Sequence, residues 1–86
     1  MNINELIAIV KKKLQYQISI EKIDIEDKSF LHKNHLGNQQ GKYHLKLLIN
    51  STELSKLSRI ESNKKIYKIL EEELKEYIHS IQILIS

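Results

Sequence analysis

The sequence predicts a small α+β domain with the element order α-β-β-α-α-β. Apolar residues recur at helical spacing near the N-terminus and again after residue 62. Two stretches of alternating apolar and polar residues flank a polar loop, and a third alternation reaches the end of the chain. Since 86 residues suffice for one hydrophobic core, we expect a single domain over residues 1–86.

The first helix is predicted over roughly residues 3–15. Asn2 and Glu5 stand three positions apart, so they can form a capping pair for the first turn. Apolar side chains follow at helical spacing, which predicts one face packed on the core. They are Ile3, Leu6, Ile7, Val10 and Leu14.

Two strands are predicted on either side of a polar loop. Ile23 and Ile25 alternate with polar residues and predict a strand near residues 22–27. The loop from Ser29 to Lys42 contains both glycines of the chain and two histidines. Residues 43–50 alternate again, so we expect this second strand to pair antiparallel with the first.

The second half of the chain predicts two helices and a last strand. Asn50 and Ser51 can cap a short helical turn, and Ser58 and Ser62 are competing caps for the strongest helix. The apolar stripe of that helix comprises Ile66, Ile69, Leu70, Leu74, Tyr77 and Ile78. Alternating isoleucines at 81, 83 and 85 follow. A crossover through the long helix predicts a parallel last strand, hence a three-stranded mixed sheet with helices on one face.

The composition of the chain argues against nucleic acid and membranes as partners. The net charge is +3, but thirteen of the fourteen cationic residues are lysine and Arg59 is the only arginine. Arginine is favoured for bidentate contacts to phosphate and guanine, so its scarcity weakens a nucleic-acid interpretation. The N-terminus does not resemble a secretory signal, and no apolar run approaches the length of a membrane span. We therefore expect a cytoplasmic protein with no membrane association.

Catalytic patterns are weak, so we expect a protein that is not an enzyme. Residues 71–73 are three consecutive glutamates, which we interpret as a solvated helix face. Ser29, Ser51 and Ser58 lack an identifiable base and orienting acid. The glycines at 37 and 41 do not have the spacing of a phosphate-binding loop.

The histidines are the strongest candidates for chemistry because the chain has no cysteine. His79 lies where the long helix gives way to the last strand, and it can either cap the helix or bind a metal. His32 and His35 lie in the polar loop, where solvated histidines are common. His44 is interpreted as a surface residue or as one that supports a ligand. Two or three imidazoles are too few to enclose a metal, which suggests a site completed by another molecule.

The order of these segments resembles the BolA family across nearly the whole chain. The segments are Asp27-Lys-Ser29-Phe-Leu-His32-Lys-Asn-His35, Tyr43-His44-Leu45-Lys46-Leu47, Leu54, and Ile66-Tyr67-x-x-Leu70-x-x-Glu73-Leu74-x-x-x-Ile78-His79-Ser80-Ile81-x-Ile83. The resemblance implies a class II KH-like fold, which agrees with the element order predicted above.

The resemblance also implies a non-enzymatic adaptor for iron–sulfur trafficking or sensing. Such a protein pairs with a monothiol glutaredoxin carrying glutathione and shares a [2Fe–2S] cluster with it. The implied ligands here are His79 and His32, with His35 as the alternate to His32. No cluster is then expected on the isolated chain, which would be a monomer alone and part of a heterodimer with its partner.

A second function implied by the resemblance is nucleic-acid binding by a transcriptional regulator of the stress response. The chain has Ser62-Asn63-Lys64 where the family commonly has Arg-His-Arg. Lys64 and Lys65 can replace those arginines as point charges, and Arg59 and Asn63 complete the candidate contact set for partner or nucleic acid. Residues 57–63 contain no glycine, unlike the Gly-x-x-Gly loop of KH domains, so we expect at most weak DNA binding.

Overall fold

The computed structural model describes residues 1–29 and 42–86, and within them the predicted order of elements is confirmed, except that the long helix is divided into two. The elements are α1 (Ile3–Gln17), β1 (Lys22–Asp27), β2 (Tyr43–Asn50), α2 (Thr52–Ser55), α3 (Arg59–Ile69), α4 (Glu71–Glu76) and β3 (Ile78–Ile85). Among these described residues, none of the helices combines the length and apolar character needed to cross a membrane.

The three strands form a mixed sheet in the order β1-β2-β3, as the sequence predicted. β1 pairs antiparallel with β2, with Ile25 opposite Leu47. β2 pairs parallel with β3, with Leu47 also opposite Ile83. The parallel pairing requires the chain to cross over between β2 and β3, and α2, α3 and α4 form that crossover.

The core lies between the helices and one face of the sheet. Leu45, Leu47 and Ile49 alternate along β2 and are buried, as the period of a half-buried strand requires. They belong to one cluster with buried side chains from the helices, namely Leu6, Val10, Leu14, Leu54, Ile66 and Leu70. Each fully buried side chain of this size contributes about 1.5–3 kcal/mol to folding, so this face fixes the register of the sheet.

The predicted helix caps are confirmed, and the structure shows which of Ser58 and Ser62 caps α3. Asn2 accepts a hydrogen bond at Oδ1 from the Glu5 N–H at 2.8 Å, and its own Nδ2 donates to Glu5. Ser58, rather than Ser62, caps α3 by accepting from the Glu61 N–H. Ser62 is instead buried and donates to the Leu54 carbonyl at 3.0 Å, which ties α3 to α2.

The long helix predicted from the apolar stripe is divided into α3 and α4, and its last stripe residue belongs to a strand. Leu70 separates the two helices with φ −97° and ψ 17°, outside the helical region, while its N–H still bonds to the Ile66 carbonyl. Ile78 is the first residue of β3, so the strand begins three residues before the predicted alternation. Helical spacing alone could not show this break because Leu70 and Ile78 are both buried.

The solvated face predicted for residues 71–73 is wrong for Glu73. Its side chain is only 8% exposed, and Lys13 of α1 reaches it with Nζ 2.8 Å from Oε2 and 3.0 Å from Oε1. This hydrogen bond, with the charge of Glu73, raises the pKa of Lys13. The pair therefore ties the first helix to the last one across the domain.

Candidate metal centre

The strand β3 starts with an irregularity that sets the position of His79. Tyr43 of β2 pairs with Ile78, but the next β2 residue, His44, pairs with Ser80, so His79 is an extra residue in a bulge. A bulge reverses the alternation of a strand and is often found beside functional sites. Ile78 is buried on the core side, whereas His79 and Ser80 are both exposed. Without the bulge, the parity of Ile81 and Ile83 would turn residue 79 towards the core.

His44 is the immediate neighbour of both bulge residues. Its ring and that of His79 meet edge to face with centroids 5.0 Å apart. Its Nδ1 lies 2.6 Å from Ser80 Oγ, within a hydrogen bond. His44 is only 5% exposed, so the interpretation as a surface residue is wrong. The position of His44 fits the interpretation that it supports a ligand, because its buried ring packs against the exposed ring of His79.

Both ends of the segment that contains His32 and His35 are anchored beside these two histidines. At the N-terminal end, Ser29 Oγ accepts from the His44 N–H at 3.1 Å, and the Lys28 N–H donates to the His44 carbonyl at 2.7 Å. At the C-terminal end, the Tyr43 N–H donates to the Tyr77 carbonyl at 2.9 Å, two residues before His79. Lys28, Ser29 and Tyr43 are therefore held next to the bulge.

The structure places His79 but does not test the other two predicted ligands. His32 and His35 lie outside the described residues. Within residues 1–29 and 42–86, no three side chains of histidine, aspartate or glutamate cluster as a metal site would require. His79 is not the helix cap that its sequence position allowed, since Tyr77 ends α4 and His79 belongs to β3. The described part of the chain thus offers one exposed imidazole at this site.

The predicted partner-binding residues of α3 divide between two surfaces. Arg59 and Asn63 line a groove of about 300 Å³ together with Ile83 and Ile85 of β3. Lys65 faces a separate groove of about 690 Å³ between α1 and α3, and its Nζ lies 2.9 Å from Glu53 Oε2. Lys64 is exposed and lines neither groove. The four residues therefore do not form one patch, and the charge of Lys65 is neutralised by an ion pair.

The contacts of Glu53 explain why Lys65 is held. Glu53 accepts from Lys65 and, at 3.2 Å, from the Ser19 N–H. These hydrogen bonds lower the pKa of Glu53. Both carboxylate oxygens of Glu53 therefore accept a hydrogen bond. Through Glu53, Lys65 links α3 to α2 and to the segment that follows α1.

This fold has known counterparts. The family model described as BolA-like protein matches residues 14–86. The chain belongs to the BolA-like family. The match starts in the last turn of α1 and includes all three strands and the bulge with His79.

Relatives in this BolA-like family agree in sequence and in fold. The chain is 28% identical over 75 residues to the "DNA-binding transcriptional regulator BolA" of Haemophilus influenzae, covering 87% of this chain and 70% of that protein. The BolA domain of SufE1 from Arabidopsis thaliana superposes with a TM-score of 0.77 at 25% identity, covering 92% and 87% of the two chains. BolA1 from the same plant gives a TM-score of 0.75 at 24% identity, with the same coverage. This last likeness shows the fold alone.

Two features of the site, the burial of His44 and the bulge, do not follow from simple alternation. Alternation places residue 44 on the face opposite Leu45 and Leu47, which predicts a solvated side chain, whereas His44 is buried. The signal that could have revealed the bulge is a conflict of parity, since Ile78 and Ile81 are both apolar but are an odd number of residues apart. Two polar residues, His79 and Ser80, stand at that conflict.

Proposed function

We propose that this BolA-like protein is a non-enzymatic adaptor that shares a [2Fe–2S] cluster with a monothiol glutaredoxin and its glutathione. The observation that carries the proposal is the placement of His79. It is exposed on a bulge, its ring is backed by the buried His44, and the ends of the segment with His32 and His35 are anchored next to it. A cysteine-free chain needs a thiolate-bearing partner to complete such a site.

The donor set fits a shared cluster better than an enclosed metal ion. His79 is one imidazole on an open surface, and a cluster iron accepts histidine in place of thiolate. When bound, the cluster supplies a one-electron redox centre, whose potential histidine ligation raises. The role of this chain is to orient the His79 ring for binding. His44 packs against that ring, and the hydrogen bond between Ser80 Oγ and His44 Nδ1 fixes the orientation of His44.

The second ligand proposed from this chain is His32, with His35 as the alternate. His32 follows Ser29 by three residues, and three residues of chain span at most about 10–11 Å. Ser29 is bonded to the backbone of His44, whose ring contacts that of His79, and this supports His32 as the ligand from the segment. His35 is three residues further along the chain from that anchor.

The test is reconstitution with a monothiol glutaredoxin, glutathione, iron and sulfide, followed by visible circular dichroism. We expect the wild-type chain to produce a spectrum distinct from that of glutaredoxin alone. His79→Ala and His32→Ala should abolish that difference, and His35→Ala should retain it. Gln82→Ala, an exposed polar residue on the same strand, is the matched control. An unchanged spectrum for His79→Ala would remove His79 from the ligand set.

A second candidate function is nucleic-acid binding by a transcriptional regulator of the stress response. It is favoured by the name of the Haemophilus relative and by the position of Arg59 and Asn63 in a groove beside β3. Fluorescence anisotropy with duplex DNA should then show a sequence preference that Arg59→Ala weakens by more than Lys12→Ala, a lysine on another surface. Weak binding that disappears with added salt, equally for all sequences, would instead indicate lysines meeting phosphate.

A further inference from the structure

The two edges of the sheet differ sharply in charge. The β1 edge carries Lys22, Asp24, Glu26 and Asp27 among its six residues. From Ile78 to Ser86, the β3 edge contains no aspartate, glutamate, lysine or arginine, and no proline. Natural sheets protect exposed edges with such residues because an unpaired edge is a template for another strand. β1 has that protection, and β3 lacks it.

The backbone of β3 presents a regular row of free groups on its outer side. Ser86 directs both its N–H and its C=O to β2, bonding to Ile49 and Ser51. Because successive residues of a strand turn these groups to opposite sides, the residues that direct theirs away from β2 are Ile81, Ile83 and Ile85. Within the described ranges 1–29 and 42–86, no hydrogen bond reaches these three outward N–H and C=O pairs.

The side chains of the same residues are incompletely covered by the helices. Ile81, Ile83 and Ile85 point to the core face but remain partly exposed, whereas their β2 partners Leu47 and Ile49 are buried. On the opposite face, Leu84 is 38% exposed. The edge therefore offers apolar area on both faces of the strand together with unsatisfied backbone groups, a combination that a strand from another chain would satisfy.

We propose that β3 pairs antiparallel with β3 of a second copy of this chain, forming a continuous six-stranded sheet in a two-fold symmetric dimer. With Ile83 on the axis, Ile83 faces its own copy and Ile81 faces Ile85, so every outward N–H meets an outward C=O. Between them Gln82 faces Leu84. No charged side chain meets another in this arrangement.

The other edge argues for β3 as the self-pairing strand. The same symmetric pairing of β1 about Ile25 would place Asp24 opposite Glu26 of the second copy, and like charges directly opposite are destabilising. Pairing β3 with β1 would be head to tail and would not close into a dimer. The β3 pairing alone is both closed and free of repulsion.

The dimer leaves the candidate metal centre accessible and does not depend on it. The pairing about Ile83 uses residues 81–85, and His79 precedes them in the bulge at the start of β3. Each copy therefore keeps His79 at one end of the ribbon, and the sheet would present two such sites. This association departs from the monomer expected from the family resemblance.

Sedimentation equilibrium from about 10 μM to about 1 mM tests the proposal, since dimerisation depends on concentration. We expect the wild type to approach dimer mass and Gln82→Lys to remain monomeric, because the pairing brings the two new lysines to diagonal positions about 7–8 Å apart. Asn50→Lys adds the same charge on the same face of the central strand and should leave the dimer intact. A wild type that stays monomeric, or a Gln82→Lys variant that still dimerises, would overturn the proposal.

A second measurement depends on no change in charge. Ile83→Pro removes an outward N–H that is not part of the β2–β3 ladder, and it should abolish the dimer. Ile25→Pro, at an outward position of β1, is its counterpart on the other edge and should not. Amide exchange of wild-type Ile81, Ile83 and Ile85 should also slow as concentration rises. Exchange that is independent of concentration would contradict pairing through this edge, even if the chain dimerises elsewhere.

Discussion

The imidazole rings of His44 and His79 meet edge to face with centroids 5.0 Å apart, one ring buried and the other exposed. Ser80 Oγ lies 2.6 Å from Nδ1 of the buried ring. Ordering an exposed side chain when it binds a ligand costs conformational entropy. In this protein the packing of His79 against His44 already restricts the His79 ring in the folded state. The exposed imidazole is therefore preorganised by two residues that sequence patterns alone do not connect.

Ser80→Ala should destabilise the domain by about 0.5–1.5 kcal/mol, because the part-buried hydrogen bond between Ser80 Oγ and His44 Nδ1 is lost. The His79 ring should also become more mobile. Urea denaturation gives the first effect, and imidazole resonances in proton–carbon NMR spectra give the second. Ser55→Ala, an exposed serine in α2, is the control and should change stability by less than about 0.5 kcal/mol. Unaltered ring resonances in Ser80→Ala would show that Ser80 does not position the pair.

The elements were predictable where one face of a strand or helix is buried continuously. The alternation of residues 43–50 predicted β2 with the right bounds, because Leu45, Leu47 and Ile49 all meet the core. The bulge was not predictable in the same way. Counting back from Ile85 by twos reaches residue 79 on the core side, and only the extra residue in the strand turns His79 outward.

Contacts between side chains that are far apart in sequence were also not predictable. Glu73 stands in a run of three acids that is typical of a solvated face, but Lys13 lies 60 positions away in sequence and in hydrogen-bond contact with it. No local pattern can predict such a pair, since it depends on how α1 crosses α4. The same holds for Ser51, whose partner Ser19 belongs to the link between α1 and β1.

Lys13→Met should destabilise the domain by about 1–3 kcal/mol, because it leaves the Glu73 carboxylate buried without its cation. The double variant Lys13→Met with Glu73→Met should recover most of that loss, since replacing both partners removes the unpaired charge. The pKa of Lys13 is raised, so the contribution of Lys13 to stability is present at neutral pH and is lost as pH rises through that raised value. Urea denaturation of the wild type, Lys13→Met, Glu73→Met and the double variant completes the cycle, and a double variant no more stable than Lys13→Met would contradict this account.

Acid should destabilise the fold partly through Glu53. Its pKa is lowered in the folded state by Lys65 and the Ser19 N–H, from an ordinary value of 4.5. A carboxylate with a lowered folded-state pKa stabilises above the unfolded value, and this contribution is lost as pH falls below about 4.5. Hydrogen bonds from Thr52 lower the pKa of Glu21 in the same direction.

Glu53→Gln should therefore be less stable than the wild type at pH 7 but lose less stability between about pH 4.5 and about pH 3. Urea midpoints at these pH values provide the measurement. Glu71→Gln, at an exposed position on α4, is the matched control and should keep the wild-type dependence on pH. Parallel curves for Glu53→Gln and the wild type would assign the acid sensitivity to other carboxylates.

Ser51 should matter more than its role as a helix cap requires. It is fully buried, and its Oγ accepts from the Leu54 N–H at 3.1 Å while donating to the Ser19 carbonyl at 2.7 Å. Loss of an N-cap alone costs about 0.5–2 kcal/mol, and loss of the part-buried hydrogen bond to the Ser19 carbonyl costs about 0.5–1.5 kcal/mol more. Ser58→Ala removes only a cap, that of α3, at an exposed position.

Ser51→Ala should consequently lower the free energy of unfolding by clearly more than Ser58→Ala does, with a difference on the order of 1 kcal/mol or above. Ser51→Thr retains a hydroxyl at this position and should be less destabilised than Ser51→Ala if the extra methyl group is accommodated. Amide exchange of Leu54 and of residues 18–21 reports whether both contacts have opened. If the two alanine variants are equally destabilised and exchange near Ser19 does not change, then the bond to the Ser19 carbonyl contributes nothing, and Ser51 is a cap like any other.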